Sequence, residues 1–364
     1  NDTGTGNTVN VDHPNVQQLI MDSLRYWHRE MGVDGFRFDL ATILGRTPHG
    51  YSPVHPLLEA ISHDGALHDA LLVAEPWDPG PGGYQLGGFP PRWSEWNDRY
   101  RDDVRRFWRG DVGSAGDFAK RLHGSADLFE RNARPPFASV NFVASHDGFT
   151  LADVVSYEPR HNEANREGNK DGHAHNCSCN YGVEGPTDDA HIGALRRRQR
   201  LNMLATLLVS QGTPLLLAGD EFGHSQFGNN NAYAQDNETG WLDWSLLDDD
   251  PDFARMVRNL IHLRRQEPLL RGPRFLHEEA EVAWLSPDGD RLSEDDWQEG
   301  RAFILSLAAG RLAVLFNGSD ETAVFAVREK NLDLVFASAG DVEPSAGTVI
   351  VPALSVAVVR AGCG

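Results

Sequence analysis

Four short apolar runs, each closing on acidic or polar side chains and separated by helical stretches, constrain this fold more than any other feature. They occupy residues 33–40 (VDGFRFDL), 71–77 (LLVAEPW), 139–144 (SVNFVA) and 213–218 (TPLLLA), with a weaker fifth at 92–97. Between them lie stretches of helical periodicity. Pro14, in a first helical turn where no amide hydrogen is missed, opens one. Val16, Leu19, Ile20, Leu24, Trp27 and Met31 then recur at three- and four-residue spacing, which predicts one buried face. Strands alternating with helices imply a parallel α/β sheet. In such folds, strand C-terminal ends are where a site is built. Asp39, Glu75 with Asp78, His146 with Asp147, and Asp220 with Glu221 all stand at such ends.

After Glu267-Pro268 the pattern changes. Short β-rich runs at 282–285, 302–307, 312–316, 323–327 and 355–359, broken by Gly, Asp, Ser and Pro, predict an antiparallel sandwich. The expected domains are therefore 1–268, an α/β domain, and 269–364, a β-sandwich. A net charge of −20 argues against nucleic acid or an anionic membrane as partner and leaves a neutral ligand open. The longest apolar stretch is broken by Ser210, Gln211, Gly212, Thr213 and Pro214, so no membrane span is expected. Three cysteines in 364 residues are too few to staple the chain and favour a reducing, cytoplasmic setting.

The strand ends carry the chemistry. Arg37 and Asp39 share a strand face, and an arginine there would keep the carboxylate ionised as a nucleophile must be; a structural ion pair is the alternative reading. Glu75 sits among Val73, Ala74, Pro76 and Trp77, where burial against the indole would suit a general acid; a buried glutamate satisfied by backbone is its alternative. Two carboxyls in contrasting environments, with a third at Asp147, are what glycoside hydrolysis asks for. Trp77, Trp93 and Trp96 offer flat faces for sugar rings, although tryptophan also serves cores. The chemistry needs no cofactor and no metal. His173, His175, Cys177 and Cys179 are dense in ligand types, but Cys-x-Cys is shorter than usual zinc spacings. Asp220-Glu221 suits a rim position or a structural one.

Three of these segments, VDGFRFD (33–39), AEPWD (74–78) and VNFVASHDGFTL (140–151), resemble sequence blocks of the α-amylase superfamily, most closely its isoamylase branch and bacterial glycogen debranching enzymes. EWNDRYR (95–101) and AGDEFG (218–223) extend the likeness over essentially the whole chain. The resemblance implies a partial (β/α)8 TIM barrel (strands four to eight), then the sandwich. It also implies a retaining hydrolase that cleaves α-1,6 branch linkages of glycogen or limit dextrin. Asp39 would be nucleophile, Glu75 acid/base and Asp147 transition-state stabiliser, with Arg37, His146, Trp77 and Trp96 contacting substrate. An α-1,4-acting amylase, a transglycosylase or a non-catalytic glucan-binding fragment are the alternatives. The family's Asp-x-x-x-Asn-His block is missing, so the first three barrel strands are expected upstream of Asn1, with open sheet edges where they would pair.

Overall fold

The computed structural model describes residues 5–329 and 331–362; Cys363, one of the three cysteines, lies outside them. The chain divides into two compact units, 1–97 with 125–140, and 98–124 with 141–364.

In the first unit, helix α1 (Pro14–Arg29) is capped by His13, whose ring nitrogen accepts from the Asn15 amide, and Pro14 occupies its first turn. Strand β1 (Gly35–Phe38) follows, then α2 (Pro56–His63), β2 (Leu71–Ala74), β3 (Ser94–Asn97) and β4 (Ser139–Asn141), whose first two residues belong to this unit. The sheet runs β1–β2–β3–β4, with β1–β2 and β2–β3 parallel and Phe38 opposite Ala74. Gly35 is required by close approach: a Cβ there would meet the Leu71 side chain at 2.5 Å. Leu57, Leu58, Ile61, Leu72, Phe89 and Trp93 form the core.

The α1 expectation needs correction. Met21 and Leu24 are its buried residues, whereas Leu19 is 68%, Trp27 47% and Met31 52% exposed. Nothing among the described residues of this unit covers that stripe, and β1 is the edge strand of the sheet. The strands are also shorter than the apolar runs, because pairing stops where the chain turns into the polar strand ends.

The second unit begins with α3 (Asp98–Arg109) and α4 (Ala115–Leu122). After β4, a long segment leads to α5 (Ala190–Val209), where Asp189 accepts the His191 and Ile192 amides as a cap. The short β5 (Thr213–Pro214) follows, and the next amide, Leu215, donates to the Asn141 carbonyl at 2.7 Å. Helix α6 (Pro251–Gln266) then precedes the β-rich part.

That part contains β6 (Val282–Leu285), helix α7 (Glu294–Gln298), β7 (Ala302–Leu307), β8 (Leu312–Asn317), β9 (Ala323–Ala326), β10 (Leu332–Ala337), β11 (Glu343–Ser345), β12 (Thr348–Val351) and β13 (Ser355–Ala361). They form an antiparallel five-stranded sheet, β10–β13–β8–β7–β6, and a three-stranded one, β9–β12–β11. Phe303, Leu305, Leu307, Val314, Phe316, Val356 and Val358 join the helical core containing Phe107, Trp108 and Phe118. Their alternates Ile304, Ala313, Leu315, Ala357 and Val359 pack with Phe325, Val349 and Val351 of the smaller sheet. Burial on both faces explains why these strands read as continuous apolar runs instead of alternating ones. Strands β10 to β12 were not foreseen. Asp333 and a register shift between Leu334 and Phe336 break the pattern of β10, and β11 is short, exposed and contains Pro344.

Candidate active site

The first unit gathers three of the expected residues, Asp39, Glu75 and Trp96, around the guanidinium of a fourth, Arg37. β1 ends at Phe38, and Asp39 projects from the turn that follows, its side chain 75% exposed. Leu40 takes a left-handed conformation (φ 43°), unusual for a leucine and a form of strain found at functional sites. Glu75 secures this turn three ways. Its amide donates to the Phe38 carbonyl at 3.0 Å, its carbonyl accepts from Ala41 at 2.9 Å, and its carboxylate accepts the Leu40 amide at 2.7 Å. Arg37 Nη1 donates to Asp39 Oδ1 at 2.6 Å, and Nη2 pairs with Glu75 Oε1 at 2.8 Å. The guanidinium lies 4.4 Å from the Trp96 ring centre.

Two features differ from expectation. Arg37 is shared between both carboxylates instead of serving Asp39 alone. Glu75 is buried, at 3% exposure, but its oxygens face a guanidinium and an amide, not only an apolar wall. Trp77 is half-buried, Trp96 has one face under Arg37, and Trp93 is a core residue packed on Phe38 and Phe89.

Around this centre the loops are braced by charge. Arg46 grips Asp78 through two bonds, 2.8 and 2.5 Å, and the Gly80 amide adds a third. Glu95, fully buried, accepts the Gly87 and Phe89 amides and pairs with Arg134, which also donates to the Trp93 carbonyl. Burial pushes the Glu95 carboxyl upward, and Arg134 opposes that shift.

Asp147 and His146 belong to the second unit. His146 Nε2 lies 3.5 Å from Asp147 Oδ2, and both side chains are about half exposed (54% and 53%). Their turn is held from behind: the Gly148 amide donates to the Asn230 carbonyl at 3.0 Å, and the Leu151 amide to Asp220 Oδ1 at 2.9 Å. Asp220 is thus a structural acceptor, 1% exposed, its carboxyl pushed up to about 7 by burial. Sequence reading missed the amide network beside it. Asn162 joins Asn230 at 2.9 Å, Asn165 bonds to the Asn229 side chain and the Asn231 carbonyl, and Asp171 accepts from Asn165 and Asn231. The run Asn229-Asn230-Asn231 was its only signal.

Cys177 and Cys179 are free thiols. Among the described residues, no group of three or more His, Cys, Asp or Glu side chains is placed to hold a metal ion. No helix described is long and apolar enough to cross a membrane.

An exposed carboxylate and a buried one, on adjacent strand ends and tied to one guanidinium, can divide nucleophile and proton-transfer duties. No protein-family model matches the chain. Among curated proteins, it is 50% identical over 339 residues to the glycogen operon protein GlgX homolog of Mycobacterium tuberculosis, covering 91% of this chain and 46% of that protein. It is 50% identical over 323 residues to the glycogen debranching enzyme of Serratia proteamaculans, covering 88% and 48%. The chain thus spans about half the length of the curated relatives it matches. Among solved structures, pullulanase from Bacillus acidopullulyticus aligns with a TM-score of 0.72 at 23% identity, over 99% of this chain and 42% of that one. Type I pullulanase from Bacillus subtilis, complexed with maltose, gives 0.74 at 22%, over 99% and 48%. These structures establish the fold as a partial (β/α)8 barrel followed by a β-sandwich, and on the sequence matches the chain belongs to the family of bacterial glycogen debranching enzymes in the α-amylase superfamily.

Proposed function

We propose that this chain carries the catalytic carboxyls of a retaining glycoside hydrolase that cleaves α-1,6 branch linkages of glycogen or limit dextrin in the cytoplasm. The observation that carries the mechanism is the Arg37 bridge, one nitrogen to Asp39 and the other to Glu75. A retaining route needs the two carboxyls roughly 5–5.5 Å apart, and two nitrogens of one guanidinium hold two carboxyls close. Asp39 attacks the anomeric carbon as the C1–O6 bond breaks, and Glu75 protonates the departing O6. Water, deprotonated by Glu75, then releases the sugar from Asp39. Asp147, with His146 beside it, grips hydroxyls of the sugar at the cleavage point. Trp77 and Trp96 contact neighbouring sugar rings. The branch specificity rests on the debranching relatives. The domain division proposed is 1–268 for the barrel part and 269–364 for the sandwich.

The test is release of reducing ends from glycogen limit dextrin and from linear amylose. Activity on the branched substrate is expected, with Asp39→Ala and Glu75→Gln each lowering kcat by at least about a thousandfold. Shortening of linear chains alone would transfer the assignment to an amylase. Wild-type turnover in either variant would remove that residue from its role.

A further inference from the structure

Trp284 and Trp297 form a second aromatic site, within the second unit and apart in sequence from every residue assigned to catalysis. Trp284 is on β6 and Trp297 on α7, whose N-terminus is fixed by a reciprocal bond between Ser293 and Asp296. The indole centres are 6.1 Å apart with their planes at 65°, and both rest on Phe303. Both are half-buried, and neither indole N–H donates to another described residue. Neither nitrogen is among the buried unpartnered polar atoms, so both N–H groups are open to solvent and can donate to a ligand.

The two rings line a cleft of about 330 Å³ whose other wall is one face of α4 and its C-cap: Gly116, Ala119, Lys120 and His123. Those positions fall at i, i+3, i+4 and i+7, so they share a helix face. Gly116 and Ala119 leave room on that face, and a Cβ on Gly116 would meet nothing within 4 Å. A neighbouring cleft of about 340 Å³ is lined by the same two indoles, with His277, Glu279 and Arg291. Clefts of this size with aromatic walls and a few polar groups suit small-molecule ligands. Charge narrows the ligand. Lys120 is paired with Asp117 at 2.8 Å and Arg291 with Glu279, so no cation is left over there for an anion. The matching ligand is neutral, flat-faced and rich in hydroxyls to accept from the indole N–H groups. Two platforms inclined to one another fit a chain whose successive rings turn, as α-1,4-linked glucose does, better than a flat ribbon of β-1,4-linked glucose.

We propose that Trp284 and Trp297 make a non-catalytic binding site for a linear α-1,4-glucan segment, holding the polymer while branch points are worked on elsewhere. The ligand class rests on the function proposed above; the site itself rests on the geometry.

The test is affinity electrophoresis of the full chain through gels containing glycogen, with maltohexaose and cellohexaose as competitors and melting curves to confirm folding. Trp297→Ala is expected to weaken retention roughly tenfold, and Trp297→Phe to stay close to wild type. Gly116→Leu fills the cleft from the α4 side without touching the aromatic cluster, and is expected to match Trp297→Ala should the latter fold poorly. Maltohexaose should compete and cellohexaose should not. Folded Trp297→Ala and Gly116→Leu that bind glycogen like wild type would overturn the proposal. Loss of a dimer in sedimentation with Trp297→Ala would also overturn it, by naming a second copy as occupant. Release of reducing ends from limit dextrin, with binding indifferent to Trp297, would sink this site and leave the hydrolase standing. Binding that depends on Trp297 in a chain that releases no reducing ends would do the reverse.

Discussion

Arg37 holds two acids with one charge, and its removal has a different signature from removal of either acid. Without it, Glu75 would remain 3% exposed beside a second carboxylate, with the guanidinium charge gone and the Leu40 amide still donating to it. Arg37→Leu is therefore expected to lower kcat on branched glucan by about a hundredfold or more, and to lower the melting temperature because a buried carboxylate loses its cation. Arg37→Lys should recover little. An ammonium is a point charge that cannot bridge two carboxylates and lie flat on Trp96 at once. Turnover in Arg37→Lys equal to wild type would show that only charge is needed there. The pairing of Arg37 with Asp39 was legible from strand alternation. Its reach to Glu75 was not, because that depends on the parallel register that sets Phe38 opposite Ala74 across strands some 35 residues apart.

At the scale of elements, legibility followed how local the determining interactions are. Helix α1 starts where Pro14 says it should, since a first turn is settled locally. Which side of α1 is buried is settled by what packs on it, so Leu19, Trp27 and Met31 misled. The sandwich strands with long apolar runs were readable, while β12 is four residues long between turns and left too short a pattern. The loop at 79–88 is held by Glu95, which accepts the Gly87 amide, and by its pairing with Arg134 across 39 residues, a contact no local pattern encodes. Glu95→Gln would leave Arg134 buried without its counter-charge, and is expected to cost about 3–5 kcal/mol in urea unfolding. A loss below about 1 kcal/mol, the scale of an exposed pair, would mean the brace is dispensable. Glu95→Gln should also loosen the 79–88 loop to proteolysis.

For the molecule as a whole, buried acids set how stability responds to pH. Asp220 is pushed up to about 7, and Asp153 and Asp103 to about 6, burial being the first cause in each. An acid whose folded pKa exceeds its unfolded value binds protons more tightly when folded, so its contribution is greatest below the unfolded pKa and is lost as pH rises through the folded one. These three groups therefore make stability fall between about pH 4 and pH 7. Asp64 and Asp250 act in the opposite sense: Arg25 and Arg197 hold their carboxyls low, and the stability they lend disappears as pH falls through that lowered range. Maximum stability is expected on the acid side of neutrality, where paired carboxylates are charged and buried ones are still protonated. Asp220→Asn isolates the largest of these effects. The amide oxygen can still accept from Leu151, and its NH2 replaces an Oδ2 that has no partner within the described protein. One pKa unit is worth about 1.4 kcal/mol, so the gain at pH 8 is bounded at roughly 4 kcal/mol by a shift from 3.8 to about 7. Melting curves from pH 5 to 8 should slope downward in wild type and less steeply in Asp220→Asn, with the variant melting higher at pH 8. Parallel curves would mean that Asp220 keeps its charge in the fold, and that Arg105, also buried and within its field, neutralises it more fully than burial opposes it.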